Sequence, residues 1–431
     1  MKSFAACALI ASIFVGSVAH AGEFLVERIS SIGAMQIAPK NSELKVVRSF
    51  EAFGKTWDVV EAASETSFST PSVSARVKSF WKSIETNQIY KLQMGPKPPS
   101  KPDDLADFDP KPVIANDPLF NSLWGLLNYG QSIVFKGKRH MDAAVAQAWT
   151  LHKGSKDVVV GVVDTGVDYR HPDLRGNLWT TTIDGKVSYG WDALAQDNDP
   201  MDGHRHGTHV AGTIGAVGNN SIGVTGVNWE TRIASVQIFD GSGATKSDAI
   251  LRALDWLYRH RDEIRVVNHS WGGKGYSRTL HTAFEKLDDA GVINVFAAGN
   301  DSSELRELDV GSDKGFYPAM FELNNSIVVA AFDNNGTKSD FSNYGPDIVD
   351  LAAPGEDIQS TVLNSSYQSL SGTSMAAPHV TGAVALLMSY RPELRARQIK
   401  DAILSSATET SSLTNTSYKG RRLNAYQALK Y

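Results

Sequence analysis

The chain has 431 residues, 42% of them hydrophobic and 21% charged, with 36 glycines and a formal net charge of -5. That length suits one large domain plus something smaller, and the composition is that of a globular chain, not a disordered one. The small negative charge gives no reason to expect nucleic acid or an anionic membrane as a partner.

Residues 1–21 read as an export signal. Lys2 supplies a short positive start, Phe4 to Val18 is mostly apolar, and Ala19-His20-Ala21 has the small-x-small form of a cleavage site. Gly22 is the expected mature N-terminus. The run is too short for a comfortable transmembrane helix, and no other segment approaches that length. An exported protein, extracellular or periplasmic, with no stable membrane anchor is expected. Cys7 is the only cysteine and falls inside the signal, with too little apolar sequence before it to favour a lipid anchor. The mature chain then has no thiol, which excludes disulfides, cysteine catalysis and thiolate metal sites. Bound metal ions are one alternative source of robustness.

Residues 22–95 predict a small α+β domain of the size of a folded pro-segment. Phe24-Leu25-Val26 and Leu44 to Val47 predict strands, and Trp57 to Glu61 alternates as a half-buried strand does. Val73, Val77, Phe80, Trp81 and Ile84 recur at helical spacing. Residues 96–113 carry Pro96, Pro98, Pro99, Pro102, Pro110 and Pro112 among lysines and aspartates. Such a stretch predicts a semi-rigid linker and a natural place for a proteolytic cut.

Residues 114–431 predict one continuous α/β domain. Met141 to Trp149 predicts a helix, and Asp157 to Asp164 a buried strand ending in a carboxylate. Further buried-strand runs are Ile233 to Phe239, Val266 to Asn268, Val292 to Ala298, Ile327 to Ala331 and Val349 to Ala353, with helical patterns at Asp248 to Arg261 and Arg278 to Ala290. Apolar strands alternating with helices predict a mainly parallel, doubly wound sheet covered on both faces. Ligands bind such sheets at the carboxyl ends of the strands, where Asp164 and Asn300 stand.

Four segments carry candidate chemistry. Asp164 opens Asp164-Thr165-Gly166, although an aspartate after a strand is commonly a cap or turn residue. Asp202-Gly203-His204-Arg205-His206-Gly207-Thr208-His209 offers His206 at a helix start. A transition metal on His204, His206 and His209 is the competing reading, but the Glu of a zinc-protease helix is absent. Val295 to Asn300 is a strand ending in a turn, so Asn300 is either a turn asparagine or an amide donor for a developing oxyanion. Ser371-Gly372-Thr373-Ser374-Met375-Ala376-Ala377-Pro378 puts Ser374 at a loop-to-helix junction among small residues, before the buried-helix run Val380 to Met388. A serine there needs a base held against it. Pro378 is expected in a first helical turn that needs no N–H at that position.

The order Asp, His, Asn, Ser resembles that of the subtilisin-like serine proteases, the subtilases. The likeness runs from Asn116-Asp117-Pro118-Leu119-Phe120 and Trp124-Gly125-Leu126 to Gly420-Arg421-Arg422-Leu423-Asn424-Ala425. It implies a secreted serine endopeptidase acting on protein or peptide substrates through an acyl-enzyme. Ser374 is then the nucleophile, His206 the base, Asp164 its orienting carboxylate and Asn300 an oxyanion donor. Ser270-Trp271-Gly272-Gly273 resembles the family's substrate-binding strand, and Ala297, Ala298 and Gly299 its wall for the residue before the cut, here suggesting a roomy apolar pocket. Gly218 to Val224 resembles a structural calcium loop, implying Ca2+ bound by Asn220, the carbonyls of Ile222 and Val224, Asp173 and Asp117. The cluster Asp192, Asp197, Asp199 and Asp202 resembles a second calcium site, with a solvated loop as the alternative. Residues 24–92 faintly resemble the inhibitory propeptide, implying a self-processed zymogen inhibited by its own pro-segment. A monomer is the default expectation.

Overall fold

The computed structural model describes residues 22–28, 44–62, 81–86, 89–91, 105, 107–307 and 311–431. It divides into two compact units, Met1–Asn87 and Gln88–Tyr431.

The first unit is an antiparallel sheet of strands β1 (Gly22–Arg28), β2 (Leu44–Ala52), β3 (Lys55–Ala62) and β4 (Trp81–Thr86), in the order β2-β3-β1-β4. Phe53 and Gly54 turn β2 into β3 with positive φ at both residues, the conformation a tight hairpin requires. Trp57, Asp58, Val59 and Val60 are all buried, so β3 is covered on both faces instead of alternating. The helical spacing expected over Val73–Ile84 is not realised at its end. Trp81 to Ile84 lie in β4, where Val26 pairs with Ile84; the rest of that stretch lies outside the described residues.

The second unit opens with β5 (Ile89–Lys91) and is built on a nine-stranded sheet. Its strands are β6 (Gly154–Asp164), β7 (Gly190–Asp192), β8 (Glu230–Gln237), β10 (Ile264–His269), β12 (Ile293–Ala297), β14 (Ser326–Phe332), β15 (Leu351–Pro354), β18 (Thr408–Glu409) and β19 (Arg421–Arg422). Their order is β18-β19-β15-β14-β12-β10-β6-β8-β7, parallel except for the β18–β19 edge pair. Strand order reverses around β6: the chain builds β7 and β8 on one side, then crosses to β10 on the other. Asp164 ends β6 at this switch point, where open α/β sheets place their ligand crevice.

Helices α1 (Val145–Ala148), α2 (His206–Gly215), α3 (Ser247–Arg259), α4 (Arg278–Asp289), α5 (Thr373–Tyr390), α6 (Ala396–Ser405) and α7 (Ala425–Leu429) complete the unit. The helix α5, apolar from Val380 to Met388 but for Thr381, is buried from Thr373 to Met388 and packs on α2 and on β6, β10, β12, β14 and β15. In contrast, α3 and α4 are amphipathic; α4 buries Leu280, Ala283, Phe284 and Leu287 and is capped by the Ser277 hydroxyl, which accepts the Leu280 N–H. Short strands β9 (Ala244–Lys246), β11 (Gly273–Lys274), β13 (Phe316–Tyr317), β16 (Ile358–Val362) and β17 (Ser366–Leu370) lie outside the main sheet. Within this unit β5 pairs antiparallel with β9, Tyr90 opposite Thr245.

The proline-rich stretch is packed at its C-terminal end. Phe108 is buried against the His140 ring, and Asp107 bonds to Arg139 and His140. The Arg139 guanidinium, with His140, holds the Asp107 carboxyl well below its usual range.

Candidate active site

Asp164 and His206 are brought together from the end of β6 and the start of α2, both fully buried. The His206 Nδ1 lies 2.8 Å from Asp164 Oδ1, which also accepts the Thr165 N–H. This contact needs α2 pressed against the loop after β6. An ideal Cβ on Gly207 would stand 2.1 Å from the Gly166 carbonyl oxygen and 3.0 Å from the Asp164 Cβ, so only glycine allows the approach. Asp202 fixes the turn before His206. Its carboxylate accepts the N–H groups of His204, Arg205 and Thr208 and the hydroxyls of Thr165 and Thr208. Those donors hold Arg205 at a left-handed φ of 97°, a strained conformation for a side-chain-bearing residue. Burial raises the Asp202 pKa, and the same donors work against that shift. Asp202 is therefore an anchor of the His206 turn, its carboxylate engaged by those donors.

Ser374 is the second residue of α5 and is buried. Its hydroxyl donates to the Ser270 carbonyl at 3.0 Å, and His206 Nε2 has no hydrogen-bond partner among the described residues. The serine is thus turned toward the chain leaving β10 and not onto the imidazole. Pro378 lies deeper in α5 than expected. Lacking an N–H, it leaves the Ser374 carbonyl without its bond from four residues on, and the Ser270 hydroxyl donates there instead at 2.7 Å. The Asn268 amide donates to Ser270 Oγ, and Thr381 donates to Asn268 Oδ1. The bond left free by the proline thus ties the start of α5 to the chain leaving β10.

Asn300 follows β12. Its Oδ1 accepts both the N–H and the hydroxyl of Thr373, each at 2.9 Å. The amide nitrogen faces the other way. An ideal Cβ on Gly372 would lie 3.6 Å from Asn300 Nδ2 and 3.7 Å from the Ser374 Cβ, so the two side chains border one small space.

Of the substrate-site candidates, Ser270, Ala297 and Ala298 are buried, and Trp271 is buried with its ring near Phe239, His269 and Phe284. Gly272 and Gly299 flank a space that the sequence led us to expect open. The ring of Phe316 lies against both. Phe316, Thr373, Asn268 and Asp202 in its anchoring role were missed by sequence reasoning; only Thr373, beside Ser374, and Asp202, ahead of His206, lay within a motif.

His209 and His204 do not join His206 around a metal. His209 Nε2 lies 2.8 Å from the Ile358 carbonyl and 3.0 Å from that of Gln368, and burial lowers its pKa to about 3. Burial also lowers the half-buried His204. Among the described residues no group of three or more His, Cys, Asp and Glu forms a metal cluster.

The calcium-loop residues do come together. Asp117 accepts the N–H groups of Asn219 and Asn220, and Asp173 accepts the Asn220 amide at 2.7 Å and the Val224 N–H. Both carboxylates are buried; burial pushes Asp173 up to about 6, with the Asp117 charge adding to it, and raises Asp117 as well. Two buried carboxylates with amide and backbone oxygens are the donor chemistry that a hard cation takes. The Asn220 side-chain oxygen is turned from this role and accepts the Ile222 N–H. In the second cluster, Asp192 accepts the Leu194 and Ala195 N–H groups, and Asp199 accepts the Tyr169 hydroxyl, as carboxylates of a self-bonded loop do.

Residues 155–424 match the family described as the subtilase family. The chain is 37% identical over 316 residues to thermitase of Thermoactinomyces vulgaris, covering 73% of this chain and 99% of thermitase. It is 41% identical over 285 residues to a thermophilic serine proteinase of Bacillus sp. (strain AK1), covering 66% of this chain but only 64% of that relative. Among solved structures it resembles fervidolysin from Fervidobacterium pennivorans, described as a keratinolytic enzyme related to subtilisin. That match has a TM-score of 0.69 and 27% identity, over 96% of this chain and 61% of fervidolysin.

Proposed function

The chain belongs to the subtilase family of serine endopeptidases, and from that premise we propose that it is an exported endopeptidase using Ser374, His206, Asp164 and Asn300. The observation that carries this reading is the buried Asp164–His206 pair, with its free imidazole nitrogen, in the fold that puts Ser374 at a helix start beside Asn300. Rotation of the Ser374 side chain from the Ser270 carbonyl onto His206 Nε2 arms the nucleophile. Its oxygen then attacks the peptide carbonyl as His206 takes the hydroxyl proton. The Asn300 amide and the N–H at the start of α5 stabilise the oxyanion, helped by the positive end of the helix. Collapse expels the amine, which receives the proton from His206, and leaves an acyl-enzyme; water activated by His206 then hydrolyses it. Asp164 orients the ring and stabilises its cationic form.

Residues 22–95 act as a pro-segment that inhibits the enzyme and is removed by it. The antiparallel pairing of Ile89–Lys91, near the C-terminal end of those residues, with Ala244–Lys246 supports this, because strand addition is how an extended peptide is bound. Asp117, Asp173, Asn220 and the carbonyls of Ile222 and Val224 would hold a structural Ca2+, which neutralises the two buried carboxylates; turning the Asn220 amide over presents its oxygen. The working form is a monomer. No helix among the described residues is long and apolar enough to cross a membrane, which is compatible with export.

Ser374→Ala tests the whole reading. Wild-type protein should hydrolyse casein and release its N-terminal unit, and the variant should do neither while still unfolding in a cooperative thermal transition. Casein hydrolysis by the variant at the wild-type rate contradicts the proposal.

A further inference from the structure

Resting on the peptidase reading, we propose that Phe316 occupies the pocket for the side chain preceding the cut and restricts it to small residues. The walls of that space are the backbones of Gly272, two residues past Ser270, and of Gly299, which precedes Asn300. An ideal Cβ on Gly272 would lie 2.4 Å from Phe316 Cε1 and 2.5 Å from Cζ; one on Gly299 would lie 2.8 Å from both atoms. One edge of the ring therefore bears on both glycines at once. It stands between the chain segments leaving β10 and β12, against Gly299, whose N–H donates to the hydroxyl of Thr373, the neighbour of Ser374.

The surroundings keep it there. Lys274 pairs with Phe316 and Gly273 with Tyr317 in the β11–β13 ladder, so the backbone of Phe316 is tied to the chain just beyond Gly272. The Phe316 N–H donates to the Met320 sulfur at 3.2 Å, and Tyr317 and Met320 beneath are buried. The opposite wall does not yield easily. Gly299 has a φ of 103°, and its missing Cβ would stand 2.4 Å from Asn343 Nδ2. Asn343 is itself held, donating to the Ala298 carbonyl and accepting the Asp301 and Ser303 N–H groups. Phe316 is only partly buried although it is apolar, so it is a surface ring against the site and not a core side chain.

A glycine, alanine or serine side chain fits beside such a ring. A phenylalanine or leucine has to displace it from two backbones. Differences of one methylene in an apolar pocket already change rates by ~10- to 200-fold, so a whole ring is decisive.

The test is kcat/KM for a set of peptide anilides that differ only in the residue before the cut: Ala, Leu or Phe. Wild type should prefer Ala over Phe by at least ~10-fold, and Phe316→Ala should lower or invert that ratio by at least ~10-fold. Phe316→Leu, which keeps an apolar side chain of lesser reach, should give an intermediate ratio and serves if the alanine variant fails to fold. Equal rates on Ala and Phe peptides in wild type, or an Ala-to-Phe ratio unchanged in the variants, overturns the proposal. Hydrolysis with the wrong ratio leaves the peptidase reading standing; no hydrolysis of any peptide sinks that reading itself.

Discussion

Asn300 has its orientation settled by one neighbour. Because Thr373 gives both its N–H and its hydroxyl to Asn300 Oδ1, the side-chain nitrogen is obliged to face the space beside Ser374. Truncation to Asn300→Ala removes one donor that matters only once negative charge develops. We expect kcat to fall by ~10²–10³-fold with KM nearly unchanged, read from steady-state peptide hydrolysis. A loss confined to KM would contradict the role. Asp164, His206, Asn300 and Ser374 could be picked out in the sequence as candidates because each sits in a local run of small residues and the four stand in a specific order. Phe316 was not, because its partners Gly272 and Gly299 are distant in sequence and meet it only through the β11–β13 ladder. Pro378 was legible as a special residue but not in its effect, which depends on Ser270 reaching across from another strand.

At the level of elements, the apolar strand runs were read nearly to their ends, since a valine-rich run buried on both faces has few other solutions. The runs at Asp157–Asp164, Val266–Asn268 and Ile327–Ala331 all fall within sheet strands. Periodicity misled where pairing won. Trp81 and Ile84 sit at helical spacing, but the edge of β1 offers backbone partners, and Trp81–Thr86 takes them. Met141–Trp149 shrank to Val145–Ala148, because Asp142 accepts the Asn128 and Ala144 N–H groups and holds the chain in a turn. The composition of residues 96–113 suggested a linker throughout. Phe108 and Asp107 instead dock on Arg139 and His140, contacts that proline content does not reveal.

For the whole molecule, buried neutral histidines couple stability to pH. Burial holds His209 and His269 down to about 3 and His379 to about 4, against an ordinary 6.5. Above about pH 6.5 neither folded nor unfolded chain protonates them. Below it the unfolded chain takes up protons that the folded chain refuses, so stability falls with falling pH, by up to ~1.4 kcal/mol per pH unit for each histidine. Buried Asp142 and half-buried Asp350, whose pKa values desolvation raises, act in the opposite sense. The histidine share is isolated by difference. In the Ser374→Ala background, His269→Gln should flatten the fall of the unfolding midpoint between pH 6.5 and about 4.5; parallel curves for the two proteins would count against it. The claim on which the rest depends is that Ser374 is a nucleophile activated by His206. The most direct measurement is labelling of the purified, self-processed protein with a fluorophosphonate, followed by peptide mass spectrometry. The account predicts one adduct, on Ser374, formed in step with loss of peptide hydrolysis and slowed by orders of magnitude in His206→Ala. An adduct on another residue, or full hydrolysis after Ser374 is labelled, would contradict it.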